Sequence, residues 1–258
     1  MKKLKRGLQQ PATAALKPGN KSKNLYKDIY AYDDSRVVLE KVAGLPDSDY
    51  INASFVSGPI HIRKYIASQG PIEKTVDDFW RMVWQYDCGK IVMLTNVVEG
   101  GKVKCMQYWP ESGKKQQKFG LINVLLLNEN VYSDFTLRTL EMHKDNSKKT
   151  AIQFHFTSWP DKDVPKYASS LVHFKHKVTT TKVTAGGPII VHCSAGIGRT
   201  GTFIALDYVV EQAKEHGYVD VFACVEGLRT RRVNMVQNEV GNVYIIIINV
   251  LLIYSFIG

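Results

Sequence analysis

Apolar positions along the chain fall into two rhythms. Over residues 76–86 they recur at helical spacing, with Phe79, Met82, Val83 and Tyr86 on one stripe. Thr75 and Asp78 offer that helix a start resembling a capping box. Gly89 interrupts the pattern, and IVMLTNV, from Ile91, is then an apolar run of strand length. KVKCMQYW, LINVLLL, DFTLRTLEM and AIQFHFTSW follow as strand candidates, the last alternating apolar and polar residues. A helix is expected over residues 169–178, and PIIVHC, from Pro188, is a short buried strand. TFIALDYVVEQAKEH is a helix that stops at Gly217, and two more helices are expected near 219–232 and 239–253. Strands in mid-chain and helices toward the end predict an α/β fold, a mixed β-sheet covered by helices. No repeat or Gly/Ser linker divides the chain, so residues 24–258 are expected to form one domain behind a flexible basic segment, residues 1–23.

Composition narrows this picture only in places. Of 258 residues, 45% are hydrophobic and 22% charged, enough apolar material for a core that needs no disulfide or metal staple. The net charge of +10 favours anionic ligands, although most of the excess reads as a solvated face. Four cysteines with no CxxC pair are not a disulfide framework, which points to a reducing, cytoplasmic setting. The basic N-terminus lacks the apolar stretch of a signal peptide. VYIIIINVLLIYSFIG at the C-terminus falls short of the ~20 residues of a membrane span, and Asn249 interrupts it. A buried final helix is the preferred reading, with a tail anchor as the lesser alternative. His173 and His176 share a helix face with no carboxylate or cysteine to complete a ligand set, so no metal is implied.

The chemistry concentrates between Pro188 and Asp207, where a buried strand enters a Gly-rich turn that opens a helix. Unpaired N–H groups and the helix dipole make such a turn an anion site. Two chemistries compete for it. Gly196-Ile-Gly198-Arg-Thr-Gly201 is formally the GxGxxG of a dinucleotide fold, with Asp220 near the distance of a ribose-binding acid. That reading leaves Cys193 and Arg199 without a role and lacks the expected βαβαβ continuation. In the other, the turn stabilises Cys193 as a thiolate nucleophile, and Arg199, six residues on, curls back as a bidentate phosphate clamp. Ser194, Ala195, Gly196, Ile197 and Gly198 bring successive amides to one phosphate, which the thiolate attacks to form a phosphocysteine.

At these residues the chain resembles the protein tyrosine phosphatases, whose signature HCxAGxGR[ST]G is met by His192, Cys193, Ala195, Gly196, Gly198, Arg199, Thr200 and Gly201. NLYKDI, YDDSRVVL, DYINAS, YIASQGP, DDFWRMVW, QFHFTSWPD and NMVQ look like the family's other blocks in order, in a pattern most like its receptor-type catalytic domains. The resemblance implies a twisted mixed sheet flanked by helices on both sides, and hydrolysis of phosphotyrosine in proteins without a cofactor or nucleic-acid partner. Trp159, Pro160 and Asp161 look like the loop bearing the family's general acid, and Gln237 like the glutamine that positions water. Tyr26 is implied to stack on the substrate phenol, and Asp28 to hold its peptide backbone. His192 is implied to help set the ionisation of Cys193, Thr200 to support the loop, Glu99 to partner Arg199 and Lys104 to contact the closed acid loop. The chain departs from the pattern at Leu25, at Lys162 and Asp163, and at Gly241, Asn242, Ile246 and Ile247. These substitutions spare nucleophile, clamp and acid, but they make slow turnover, or a phosphotyrosine-binding protein that captures without release, the rival expectation.

Overall fold

A computed structural model describes residues 4–111, 113–160 and 168–237. Helix α1 (Thr13–Leu16) and a 3₁₀ turn (Pro18–Lys23) lead into strands β1 (Arg36–Val38), β2 (Tyr50–Val56) and β3 (Tyr65–Ser68). Helix α2 (Val76–Gln85), β4 (Lys90–Met93) and the small hairpin of β5 (Val98–Glu99) and β6 (Lys102–Val103) come next. Then follow β7 (Gln116–Phe119), β8 (Ile122–Val131), β9 (Phe135–Lys144) and β10 (Ser147–Phe156). Helix α3 (Ala168–Thr180), β11 (Ile189–His192), α4 (Gly198–His216) and α5 (Val221–Arg231) complete the described part.

Nine strands form one mixed sheet in the order β1-β2-β3-β11-β4-β10-β9-β8-β7. Its centre is parallel: β11 lies between β3 and β4, and β4 pairs with β10, while the outer pairs are antiparallel. Parallel strands are buried on both faces, so PIIVHC and IVMLTNV are apolar runs rather than alternations. Alternate residues still diverge. Ile66, Ile91, Met93 and Ile190 pack with Phe79, Trp80, Met82 and Val83 of α2. Tyr65, Ala67, Val92, Leu94 and Val191 pack on the opposite face with Leu171 and Phe174 of α3, Phe203 and Leu206 of α4, and Leu228 of α5. The sheet is thus flanked on both sides, as the sequence suggests.

Several expectations change. The basic lead-in is not loose over residues 12–23: Ala12, Ala15 and Asn20 are buried, and Asp33 accepts from the Thr13 and Ala14 amides. Thr75 stands at the N-cap of α2 without a side-chain cap. Its hydroxyl instead accepts from the Ile72 amide at 3.0 Å. KVKCMQYW contributes only Lys102 and Val103 to a strand. Cys105, Tyr108 and Trp109 after them are buried against the α2 layer without joining a ladder. The helix expected over 239–253 lies outside the described residues, as do Asp161, Lys162, Asp163, Gly241, Asn242, Ile246 and Ile247.

Candidate active site

Strand β11 delivers Cys193 at the C-terminal edge of the parallel centre, and α4 begins five residues later. Between them the chain turns sharply. Gly196 sits at φ +71°, and a Cβ there would stand 2.2 Å from the Ser68 carbonyl oxygen, so both conformation and space require glycine. The turn points the Gly196 amide at Cys193, donating to Sγ at 3.3 Å. Cys193 is 5% exposed. Burial pushes the other three thiols, Cys88, Cys105 and Cys224, up to about 12, which keeps them protonated and inert near neutrality.

Arg199, in the first turn of α4, folds over the loop. Its Nη1 donates to the Leu94 carbonyl at 3.0 Å and to Glu99 Oε1 at 2.6 Å, and its Nη2 to Glu99 Oε2 at 2.9 Å. Glu99 is therefore the arginine's bidentate partner, the geometry that fixes a guanidinium plane. Burial alone would raise the Glu99 carboxyl, but the bonds from Arg199, Asn96 and Thr95 outweigh it and hold the group below its usual value. Nη2 also donates to the Pro160 carbonyl at 3.2 Å, tying the clamp to the residue before Asp161. Trp159 is buried in the core beside Phe156.

On the rim, Tyr26 is 39% exposed. Its hydroxyl lies 2.9 Å from Ser194 Oγ, which itself donates to the Lys104 carbonyl at 2.9 Å, so the tyrosine is the donor in the first bond. Gln69 secures this segment by accepting from the Leu25 amide and donating to the Lys23 carbonyl. Asp28 is exposed two residues further on. Gln237 stands over the start of α4: a Cβ placed on Gly198 would lie 3.4 Å from its Oε1.

His192 ends β11, directly before Cys193. It is fully buried, and burial lowers it to about 4, so it is neutral near pH 7 and brings no positive charge to Cys193. Its Nδ1–H donates to the Cys193 carbonyl at 3.1 Å, while Nε2, 2.8 Å away, accepts from the Tyr108 hydroxyl. The two bonds fix the ring between Tyr108 and the Cys193 backbone. Thr200 is also fully buried, and its hydroxyl has no hydrogen-bond partner among the described residues.

Sequence reasoning missed the residue behind the loop. Arg232 is fully buried, with Nε donating to the Gly196 carbonyl at 2.8 Å and Nη2 to the Ala195 carbonyl at 3.1 Å. Drawing the Ala195 carbonyl backward turns the Gly196 amide of the same peptide forward, toward Cys193 Sγ. Burial lowers Arg232 to about 10, so it stays charged near neutrality and adds positive potential beneath the cradle. Its signal in the sequence was the run RTRR, which reads as a solvated face.

The dinucleotide alternative loses its ribose-binding acid. Asp220 instead caps α5, its Oδ1 accepting from the Ala223 amide at 2.8 Å, while Arg199 is spent on Glu99. Comparison with known proteins agrees: the family model for protein-tyrosine phosphatase matches residues 20–252. The chain belongs to the protein-tyrosine phosphatase family. Among its relatives, phosphatidylinositol phosphatase PTPRQ of Homo sapiens is 44% identical over 227 residues, covering 88% of this chain and 10% of the relative. Receptor-type tyrosine-protein phosphatase F of Rattus norvegicus is 43% identical over 228 residues, covering 88% and 12%. Receptor-type tyrosine-protein phosphatase S of Gallus gallus is 44% identical over 222 residues, covering 85% and 14%. The chain thus spans a small fraction of the length of these relatives, and within the described residues no helix is long and apolar enough to cross a membrane.

Proposed function

We propose that this domain hydrolyses phosphotyrosine in proteins through a phosphocysteine intermediate. The observation that carries the reading is the pairing of Cys193 Sγ, held by the Gly196 amide, with Arg199 locked in plane by Glu99. The thiolate attacks phosphorus while the amides of residues 194–199 and the Arg199 guanidinium stabilise the equatorial oxygens. The leaving phenol has a pKa of about 10, so its bare anion is a poor leaving group at neutral pH. Asp161 gives it a proton and then takes one from the water that attacks the phosphocysteine, breaking the S–P bond and releasing phosphate and thiolate. Gln237 positions that water, and Thr200 supplies a buried hydroxyl near the start of α4.

The names of the relatives include both phosphatidylinositol and tyrosine-protein phosphatases. Tyr26 and Asp28 favour the protein substrate. An aromatic wall suits a phenol, and a carboxylate at the rim repels the further phosphates of an inositol headgroup while accepting peptide N–H groups. The rival, capture without release, draws on Lys162, Asp163 and Gly241, which put a second carboxylate beside the acid and remove a glutamine after Gln237. Phosphate release should be measured on matched phosphotyrosine and phosphoserine peptides and on a soluble phosphoinositide. Turnover of the phosphotyrosine peptide alone is expected; equal rates on phosphoserine, or preference for the inositol lipid, would overturn the assignment.

A further inference from the structure

Gln237 follows a strained residue. Val236 is β-branched, fully buried and held at φ +54°, a left-handed conformation that such side chains avoid. Strain of this kind persists only where neighbours over-determine it, and here two bonds do so. The Val236 amide donates to the Ile197 carbonyl at 3.0 Å, fastening it to the phosphate loop, and the Val236 carbonyl accepts from Arg229 Nη2 at 2.9 Å. Arg229 is 4% exposed and also donates from Nε to the Met235 carbonyl at 2.9 Å and from Nη1 to the Lys5 carbonyl at 2.8 Å. One guanidinium thus grips consecutive carbonyls of the turn that presents Gln237, three residues before Arg232 grips the carbonyls of the loop that presents Cys193.

We infer that Arg229 is a positioning residue for the second half of the reaction, keeping Val236 left-handed so that Gln237 stands over Gly198 to direct the attacking water. The inference rests on the proposed phosphocysteine route. Without the guanidinium, Val236 relaxes toward extended backbone and the peptide plane before Gln237 rotates. Cys193, Arg199 and Glu99 make no hydrogen bond to Arg229, and Arg232 still holds the Ala195 and Gly196 carbonyls of the phosphate loop, so formation of the phosphocysteine is left intact while its hydrolysis slows.

A two-step reaction reports this separation directly. The ratio kcat/KM contains only steps through phosphorylation, whereas slow dephosphorylation lowers kcat and KM together and leaves a burst of phenol. The test compares wild type, Arg229→Met and Arg229→Lys on p-nitrophenyl phosphate, by steady-state and stopped-flow assay. For Arg229→Met, kcat and KM should both fall, by up to about 10²-fold, the scale of a misplaced positioning group, with kcat/KM held within about twofold and a burst near one nitrophenol per site. Arg229→Lys, which keeps the charge and can still reach one carbonyl, should fall between; it carries the test if the methionine variant does not fold. A loss of kcat/KM without a burst, or kinetics unchanged from wild type, would overturn the role of Arg229 alone. A folded wild type that releases no nitrophenol would overturn the phosphocysteine reading and this inference with it.

Discussion

Cys193 and Arg199 could be found from sequence because the chemistry that joins them is local: a turn of seven residues carries nucleophile, amides and clamp. Glu99, Tyr26 and Gln237 came only through resemblance, since each reaches the site from another part of the fold. Arg229 and Arg232 were missed altogether. A run of charges at a helix end is ordinarily solvated, and nothing in RTRR says that two of its side chains turn inward onto backbone carbonyls. His192 came through the signature as a neighbour expected to help set the ionisation of Cys193, and the structure shows it buried and neutral. That neutrality has a measurable consequence. His192 and His155 are each lowered to about 4 from an ordinary 6.5, in both cases chiefly by burial. Below about pH 6.5 the unfolded chain binds protons at both residues that the native state refuses until about pH 4, so stability falls as pH falls through that window. Urea midpoints should therefore drop steadily from pH 6.5 to 4.5 and flatten where His155→Gln and His192→Gln variants fold. A midpoint level across that range would contradict the buried neutral histidines.

Among the elements, the central strands β4, β10 and β11 and the helices α2 to α5 were legible, because apolar runs and helical stripes mark them. Strands β1 to β3 were not. Tyr50–Val56 is buried throughout yet includes Asn52 and Ser54. The Asn52 side-chain N–H groups donate to Asn24 Oδ1 and the Ile29 carbonyl, and Ser54 accepts from Arg232, so their burial shows in neither hydropathy nor alternation. Helix α4 hides a similar feature. Asp207 is buried between Lys175 of α3 and Lys64 beside β3, at 2.8 Å from each, with the Tyr65 hydroxyl donating to it as well. Burial works to raise its carboxyl, but the two ammonium groups outweigh that and hold it well below the carboxylate range. Asp207→Asn takes from Lys175 its carboxylate and leaves Lys64 only Glu211, at 3.1 Å, which should cost about 3–5 kcal/mol by denaturant unfolding. The contribution is complete above the ordinary carboxylate pKa and is lost as pH falls below it. A cost under about 1 kcal/mol would show that water already screens the cluster.

For the whole molecule, the sheet explains why one loop can carry the chemistry. Parallel strands β3, β11, β4 and β10 end together. Their C-terminal edge brings Gln69, Cys193, Leu94 and Trp159 into one neighbourhood, where Arg199 can bond Leu94, Glu99 and Pro160 at once. Helix α5 then supports this edge from behind through Arg229 and Arg232. In the proposed route the donors of this site capture a phosphate, and release falls to Asp161 and Gln237, among neighbours that depart from the family's pattern. The direct measurement is phosphate release from a phosphotyrosine peptide by wild type, Cys193→Ser and Asp161→Ala, with peptide binding followed in parallel. Wild type should turn over repeatedly, while both variants bind the peptide, Cys193→Ser releasing no phosphate and Asp161→Ala releasing it about 10²-fold or more slowly. Folded wild type that binds the peptide yet releases no phosphate, or a Cys193→Ser variant that still turns over, would contradict the account.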